Sequence, residues 1–476
     1  MPSEIQQAAG CRIGLDYPAP IVEHTQARQR ALEVYEKPGD SLLANPPLVP
    51  PVPGSETGRR ALKALLRGGG VLSALEALHA EMGDVFRIPL PGFSPVVLVG
   101  PEANHFVTVS GRGDLRWRSE GDPVTGLLRQ GLLVTDGELH DDLRRRVNPP
   151  LHRSMVAGYL TSMLAHTDRI SAAWTSGQPV DMLPEMRKLA LGILTDTLYR
   201  VDIYPVLKRL WPDILRTLAF ISPGLWVIWS GAPRPGYQGA IQRLDRYLYQ
   251  IIAERRAAPG SPNDLLGGLV HSDMSDDLIR DQLLTILIAG HDTSTAMLAW
   301  ALYLLGSHPQ ALERARAEVD EVLGSNPPDM EQLGRLQFLD QVIDEALRLY
   351  PPIHIGNRIA ATDLEFQGYH IQAGTRVVYS IYLSHRHPQY WPDPQRFDPE
   401  RFAPGQTAQR PHYVYVPFGG GPRNCIGMAF ARVEAKAVLA RLLQTFDLQL
   451  VEKRVHAHMG ATLEPRPGVK MVAMRR

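Results

Sequence analysis

Apolar residues recur at helical spacing along most of this chain, with a few short alternating stretches between them. Residues 72–82 read as an amphipathic helix, and 85–88 and 96–99 as strands separated by the Pro91–Gly92 turn. Glycines punctuate 111–131 without a period, which predicts a loop. Residues 139–147 form a charged helix that must end near Asn148, because Pro149 and Pro150 follow. The pattern from 155 to 256 is helical with breaks. Within it, 218–229 is the most apolar stretch, and Pro223 and Gly224 interrupt it. A long helix is predicted over 276–305, with a centre at 283–290 that is apolar nearly all round and therefore buried. Pro309 opens the next helix, and another over 339–349 stops at Pro351–Pro352. Strand-like pieces follow near 364–366 and 377–381. Residues 386–417 are rich in proline, arginine and aromatics and show little period, and 428–443 is again helical.

Composition narrows the organisation. The 476 residues contain no internal low-complexity linker and no repeat, so residues 46–476 read as one large domain behind a polar extension, 1–45. The segment 46–53 (PPLVPPVP) is a stiff, extended entry. Hydrophobic and charged contents of 44% and 21% are those of a soluble globular protein. Fifty basic residues balance fifty acidic ones, so no overall charge points to nucleic acid. Two cysteines, Cys11 and Cys425, are too few for a disulfide framework. No secretory signal and no run of ~20 apolar residues is present, which predicts a cytoplasmic chain without a transmembrane anchor.

The chemistry concentrates in residues 418–427, FGGGPRNCIG. Three glycines permit backbone geometry closed to other residues and a close approach to a large flat ligand. Cys425 stands at or just before a helix start, where N–H groups and the dipole favour an anion. A thiolate held there is a good axial ligand for haem iron, and Arg423 is placed to reach an acidic edge of the same cofactor. A glycine-rich loop with an inert, packed cysteine is the plainer alternative. In the predicted long helix, Ala289, Gly290, Asp292, Thr293 and Ser294 put polar groups where burial is costly unless they are used. They make either a kinked core helix with a capped polar cluster or a functional site, since Thr and Ser can bond back to the i−4 carbonyl. Glu345 and Arg348 share a helix face, as do His140 and Arg144. Arg145, Arg146 and Arg153 surround the second pair, which reads equally as a solvated basic face or a docking face for an acidic electron donor.

Phe418, Gly421, Arg423, Cys425, Gly427 and Ala431 resemble the haem-binding signature of the cytochrome P450 family at its spacing. The resemblance runs from about residue 46 to the end. The Pro-Arg-Asn-Cys loop is nearer the long microsomal-type members, although the chain itself reads as a soluble bacterial type. It implies a mainly α fold with a small β-rich lobe and haem b (iron protoporphyrin IX) between the two parts. Cys425 would be the metal ligand. Phe418, Gly419, Ile426, Gly427, Ala289 and Gly290 would line the cofactor, with Gly290 leaving room for dioxygen. His140, Arg144, Arg358 and Arg423 would hold the haem propionates. Asp292 and Thr293 would be the catalytic acid–alcohol pair that relays protons. Glu345, Arg348 and Arg401 would form a buried structural network, and Ile286, Ala289, Ile355, Ala461 and Thr462 would line the substrate. The stretch 218–229 corresponds to a mobile lid that fits an apolar substrate and shallow contact with a membrane surface. The implied reaction is hydroxylation or epoxidation of a lipophilic compound, such as a fatty acid or terpenoid. It would use dioxygen and two electrons from a separate ferredoxin or flavodoxin with its reductase. A peroxide-driven peroxygenase and a non-catalytic haem sensor are the rival readings.

Overall fold

The computed structural model describes residues 48–224, 234–258 and 263–476, and Val49–Arg476 forms one compact unit. The polar extension with Cys11, residues 46–47 of the proline segment and residues 225–229 of the apolar stretch lie outside the described residues. The longer helices are α1 (Ser55–Ala64), α2 (Val71–Met82), α3 (Gly137–Val147), α4 (Leu160–Ser171), α5 (Met182–Leu194), α6 (Tyr204–Ile221), α7 (Gln238–Ala257), α8 (Asp276–Ser307), α9 (Pro309–Leu323), α10 (Gln337–Leu349) and α11 (Met428–Thr445).

Helix α8 is the axis of the core. The Ser275 side chain accepts from the Leu278 N–H, and Asp276 and Asp277 oppose the dipole in the first turn. The 32 residues run ~48 Å and pack against α5, α7, α10 and α11. Most of its length is buried on every side, from Leu283 through Trp300 to Leu305. Trp300 stacks on Tyr350 with ring centroids 3.6 Å apart and donates its indole N–H to Leu463 O at 2.8 Å. Gly290 sits where α8 meets α5, and a Cβ there would lie 2.4 Å from Leu194 Cδ1. The glycine thus lets the two helices cross closely on the Leu194 side.

Twelve strands, β1 to β12, form the smaller part among the described residues. The largest sheet has the order β1 (Val85–Arg87), β2 (Val96–Leu98), β8 (Arg376–Ser380), β5 (Ile355–Ala360), β3 (Leu115–Arg116). Strands β2 and β8 are parallel and the other neighbours antiparallel. Gly356 faces Tyr379 in register, and a Cβ at Gly356 would come within 1.9 Å of that ring. A second sheet orders β4 (Pro179–Asp181), β12 (Lys470–Arg475), β9 (Phe446–Leu450). The pairs β6 (Leu364–Phe366) with β7 (Tyr369–Ile371) and β10 (His456–Met459) with β11 (Leu463–Arg466) complete the set.

The stretch 111–131 is not only loop. It holds β3 and a short helix, Pro123–Leu128, that begins with Pro at its first turn. Asp122, just before it, is fixed by two hydrogen bonds from Arg376 at 2.9 and 2.8 Å. Strand β5 escapes a search for apolar alternation because its buried positions are Gly356, Arg358 and Ala360.

Candidate active site around Cys425

Cys425 lies three residues before α11, and its N–H donates to Phe418 O at 2.8 Å. This closes the loop on itself. Gly419 and Gly421 adopt φ of +71° and +62°, which side chains resist. A Cβ on Gly421 would stand 2.3 Å from Thr108 O, and one on Gly420 2.9 Å from Thr108 Oγ1 and from the Tyr413 ring. Two of the three glycines therefore serve close packing on Phe106–Ser110, not only approach to a ligand. At Gly419 the nearest atom to a Cβ is Asn424 Cα at 4.0 Å, so that side stays open. Phe418 and Ile426 are half-buried against the main core. The Cys425 side chain is exposed although protein surrounds it, the environment of a recess and not of an outer surface. That desolvation pushes its thiol pKa up, while the Gly427 N–H and the Arg144 charge pull it down.

The four expected propionate partners differ in their present commitments. Arg144 is half-buried and donates to Asn424 O at 2.9 Å and Asn424 Oδ1 at 2.8 Å. Arg423 donates to Asp136 Oδ1 at 2.8 Å and to Thr135 O, and burial pulls its pKa down to about 10. His140 is buried, bonds Asp141 at 2.8 Å, and is held below the usual histidine range by burial. Arg358 is buried, donates to Asn357 O at 2.7 Å, and lies 4.5 Å from the Trp117 ring centroid.

Along α8, Thr293 Oγ1 donates to Ala289 O at 2.6 Å. The helix stays continuous through the cluster. Asp292 is buried and held from two sides: Oδ1 accepts from Arg187 at 2.8 Å and Oδ2 from Thr462 Oγ1 at 2.8 Å. Burial raises its pKa to about 6; Arg187 opposes the rise and Glu464 adds to it. Arg187 also pairs with Glu464, whose other oxygen accepts from half-exposed Arg466 at 2.9 Å. Thr462, expected to line the substrate, thus has its hydroxyl committed to Asp292. Arg187, Glu464 and Arg466 are site residues the sequence did not reveal. Ser294 donates to Glu434 of α11, a buried carboxyl whose pKa burial raises to about 8.

Glu345 and Arg348 are fully buried and form a two-pronged pair at 2.6 and 2.8 Å. Arg348 also donates to the carbonyls of His385, Pro394 and Arg396. Glu345 Oε1 accepts from the Asp398 N–H at 2.9 Å and lies 3.5 Å from Arg401 Nε. His385, assigned no role from sequence, accepts from the Val416 N–H at 2.9 Å, two residues before the cysteine loop. Ile286 is buried on α8, and Ala289, Ile355 and Ala461 are partly exposed.

Arg144 and Arg358 have no carboxylate partner among the described residues, and Cys425 presents an accessible sulfur near Arg144. This donor set fits a cofactor carrying a thiolate-seeking metal and acidic substituents.

A mainly helical unit with this cysteine loop matches the family model described as Cytochrome P450 over residues 59–469. The cyclooctatin synthase of Streptomyces melanosporofaciens is 31% identical over 86% of this chain and 91% of its own length. The cyclooctat-9-en-7-ol 5-monooxygenase of the same organism is 31% identical over 69% and 75%. The solved structure of retinoic acid bound cyanobacterial CYP120A1 superposes with a TM-score of 0.79 at 27% identity, covering 90% of this chain and all of that one. The chain belongs to the cytochrome P450 family. It has that family's fold and is a haem-dependent monooxygenase, working with dioxygen, an organic substrate and a redox partner. No described helix is long and apolar enough to cross a membrane.

Proposed function

We propose that Cys425 ligates the iron of haem b and that the enzyme oxygenates a terpenoid-like hydrocarbon skeleton. The exposed Cys425 beside Arg144, which has no carboxylate partner among the described residues, carries the first part. The Streptomyces relative named for monooxygenation of cyclooctat-9-en-7-ol supports the second and favours a terpenoid over a fatty acid. Bound there, haem supplies reductive activation of dioxygen and transfer of one oxygen atom to carbon. Arg144 and Arg358, hydrogen-bonded to neutral asparagine oxygens, would take the propionates without giving up a carboxylate. Arg423 and His140 would take them after loosening Asp136 and Asp141. Ile286, Ala289, Ile355 and Ala461 offer apolar walls to the substrate.

Thr293 and Asp292 manage the protons. The Thr293 hydroxyl gives up its bond to Ala289 O and turns toward the site. Asp292, with a pKa of about 6, exists in both forms near neutral pH and holds or passes a proton. Arg187 holds Asp292 and Glu464 together and Arg466 caps Glu464 near the surface, so this network fixes Asp292 in place. Electrons come from a separate ferredoxin or flavodoxin and its reductase. Arg145 and Arg153 are exposed for such a partner, whereas Arg146 is engaged by Asp142 and Asp273.

The test is spectroscopic. The reduced carbon-monoxide complex should show the red-shifted Soret band of thiolate ligation, and Cys425→His should lose that band or the haem. An unchanged spectrum in the variant would refute the assignment. A diterpenoid panel should displace the sixth ligand and shift the spectrum, whereas a response confined to fatty acids would overturn the substrate class.

A further inference from the structure

Away from the cysteine loop, two histidines and an aspartate converge where α2 hands over to β1. His79 is in the last turn of α2, and Asp84 follows the Gly83 cap, which has φ +78°. His387 comes from the segment after the short helix Ile381–Ser384. His79 Nε2 lies 2.8 Å and His387 Nε2 3.0 Å from the same oxygen, Asp84 Oδ1. The three ligand atoms all fall within 4.8 Å of one another. The two rings meet edge to face with centroids 5.3 Å apart. Both imidazoles are largely buried, and the carboxylate is 37% exposed, which leaves one side to solvent. A cleft lined by Glu76, His79, Leu383, Arg386 and Gln395 opens beside His79.

We propose that His79, Asp84 and His387 form a binding site for a zinc-type divalent ion, independent of the haem chemistry. Two imidazole nitrogens and one carboxylate oxygen are a donor set for Zn²⁺ and its neighbours, not for Mg²⁺ or Ca²⁺, which take oxygen ligands. With bonds of ~2.0 Å at tetrahedral angles, the ligand atoms must stand ~3.3 Å apart. The two histidine-to-aspartate distances therefore open by a few tenths of an ångström. Solvent reaching Asp84 completes the coordination. The buried Arg386 guanidinium in the adjoining cleft disfavours a cation, and the Glu76 carboxylate across it offsets that charge.

The histidines are not equivalent. His387 Nδ1 accepts the Gln389 N–H at 3.2 Å, so its Nε2 carries the proton that points at Asp84. Coordination through Nε2 moves that proton to Nδ1 and breaks the Gln389 bond. His79 Nδ1 has no hydrogen-bond partner among the described residues and changes tautomer freely. The ion would tie the end of α2 to the chain that continues toward Asp398 and Arg401, so binding should stabilise the fold.

The full haem-loaded chain, freed of metal by chelator dialysis, is dialysed against Zn²⁺ and its metal content measured beside its thermal midpoint. One zinc per chain and a raised midpoint are expected, with no such response to Mg²⁺. Asp84→Asn, His79→Gln and His387→Gln should each weaken retention by more than ~10-fold while the Soret spectrum is unchanged. Failure to retain zinc would overturn the proposal, as would equal retention by all three variants, which would place the zinc elsewhere. If Asp84→Asn does not fold, His79→Gln, which removes only a side chain at the end of α2, decides the matter.

Discussion

Asp292 and Thr293 stand next to each other, yet their surroundings differ: one is clamped by Arg187 and Thr462, the other bonded only to its own helix. Their replacements should therefore fail differently. Thr293→Ala leaves the fold and haem content unchanged, but product per NAD(P)H should fall several-fold while hydrogen peroxide rises. Asp292→Asn should slow oxygen-dependent turnover roughly tenfold or more, the scale of a lost acid–base group. Unchanged coupling in Thr293→Ala, measured as product against peroxide, would make that hydroxyl a packing group. Asp292 and Thr293 stand out in the sequence because they are adjacent polar residues inside an apolar helix. Arg187 and Glu464 do not, because they lie more than a hundred residues away and ion pairs leave no period. Thr462 was singled out only as a lining position, since a small residue in a turn carries no mark of what its hydroxyl touches.

Between elements, the contact of α8 with α11 through Ser294 and Glu434 makes stability depend on pH. Glu434 is fully enclosed and its pKa rises from an ordinary 4.5 to about 8. Below pH 4.5 the carboxyl is protonated folded or unfolded. As pH rises from there to about 8, only the unfolded chain releases the proton, and stability falls by ~1.4 kcal/mol per pH unit at most. Glu434→Gln keeps the shape and removes the titration. Its denaturation midpoint should change less between pH 5 and pH 8 than that of the parent, and parallel curves would exclude Glu434 as the source. Helices such as α8 and α10 were readable from spacing and proline stops. Strands β5 and β9 to β12 were not, β5 because glycine, arginine and alanine occupy its inward positions.

At the scale of the molecule, helix α8 carries Asp292 and Thr293, the mixed sheet carries Arg358, and the cysteine loop rests on Phe106–Ser110. Electron delivery belongs to this scale. Arg145 and Arg153 are exposed and paired at most with Asp142, so docking of an acidic donor should weaken as salt rises and screening shortens to ~10 Å at 0.1 M. Reduction rates with a surrogate ferredoxin should fall from 20 mM to 300 mM salt, and Arg145→Glu with Arg153→Glu should flatten that dependence. A rate indifferent to salt would place the partner on another face. The family and its cysteine loop were legible from six residues. The substrate was not, because apolar lining positions state a character and not a shape.

The register of β5 against β8 also has an evolutionary reading. Gly356 and Tyr379 occupy one volume between them. Gly356 cannot drift alone: a lineage can acquire a side chain at 356 only after the aromatic at 379 has been traded for something small. Across related chains a side chain at 356 should occur only with a small residue at 379, and a reconstructed ancestor with both substitutions should be viable where the change at 356 alone is not.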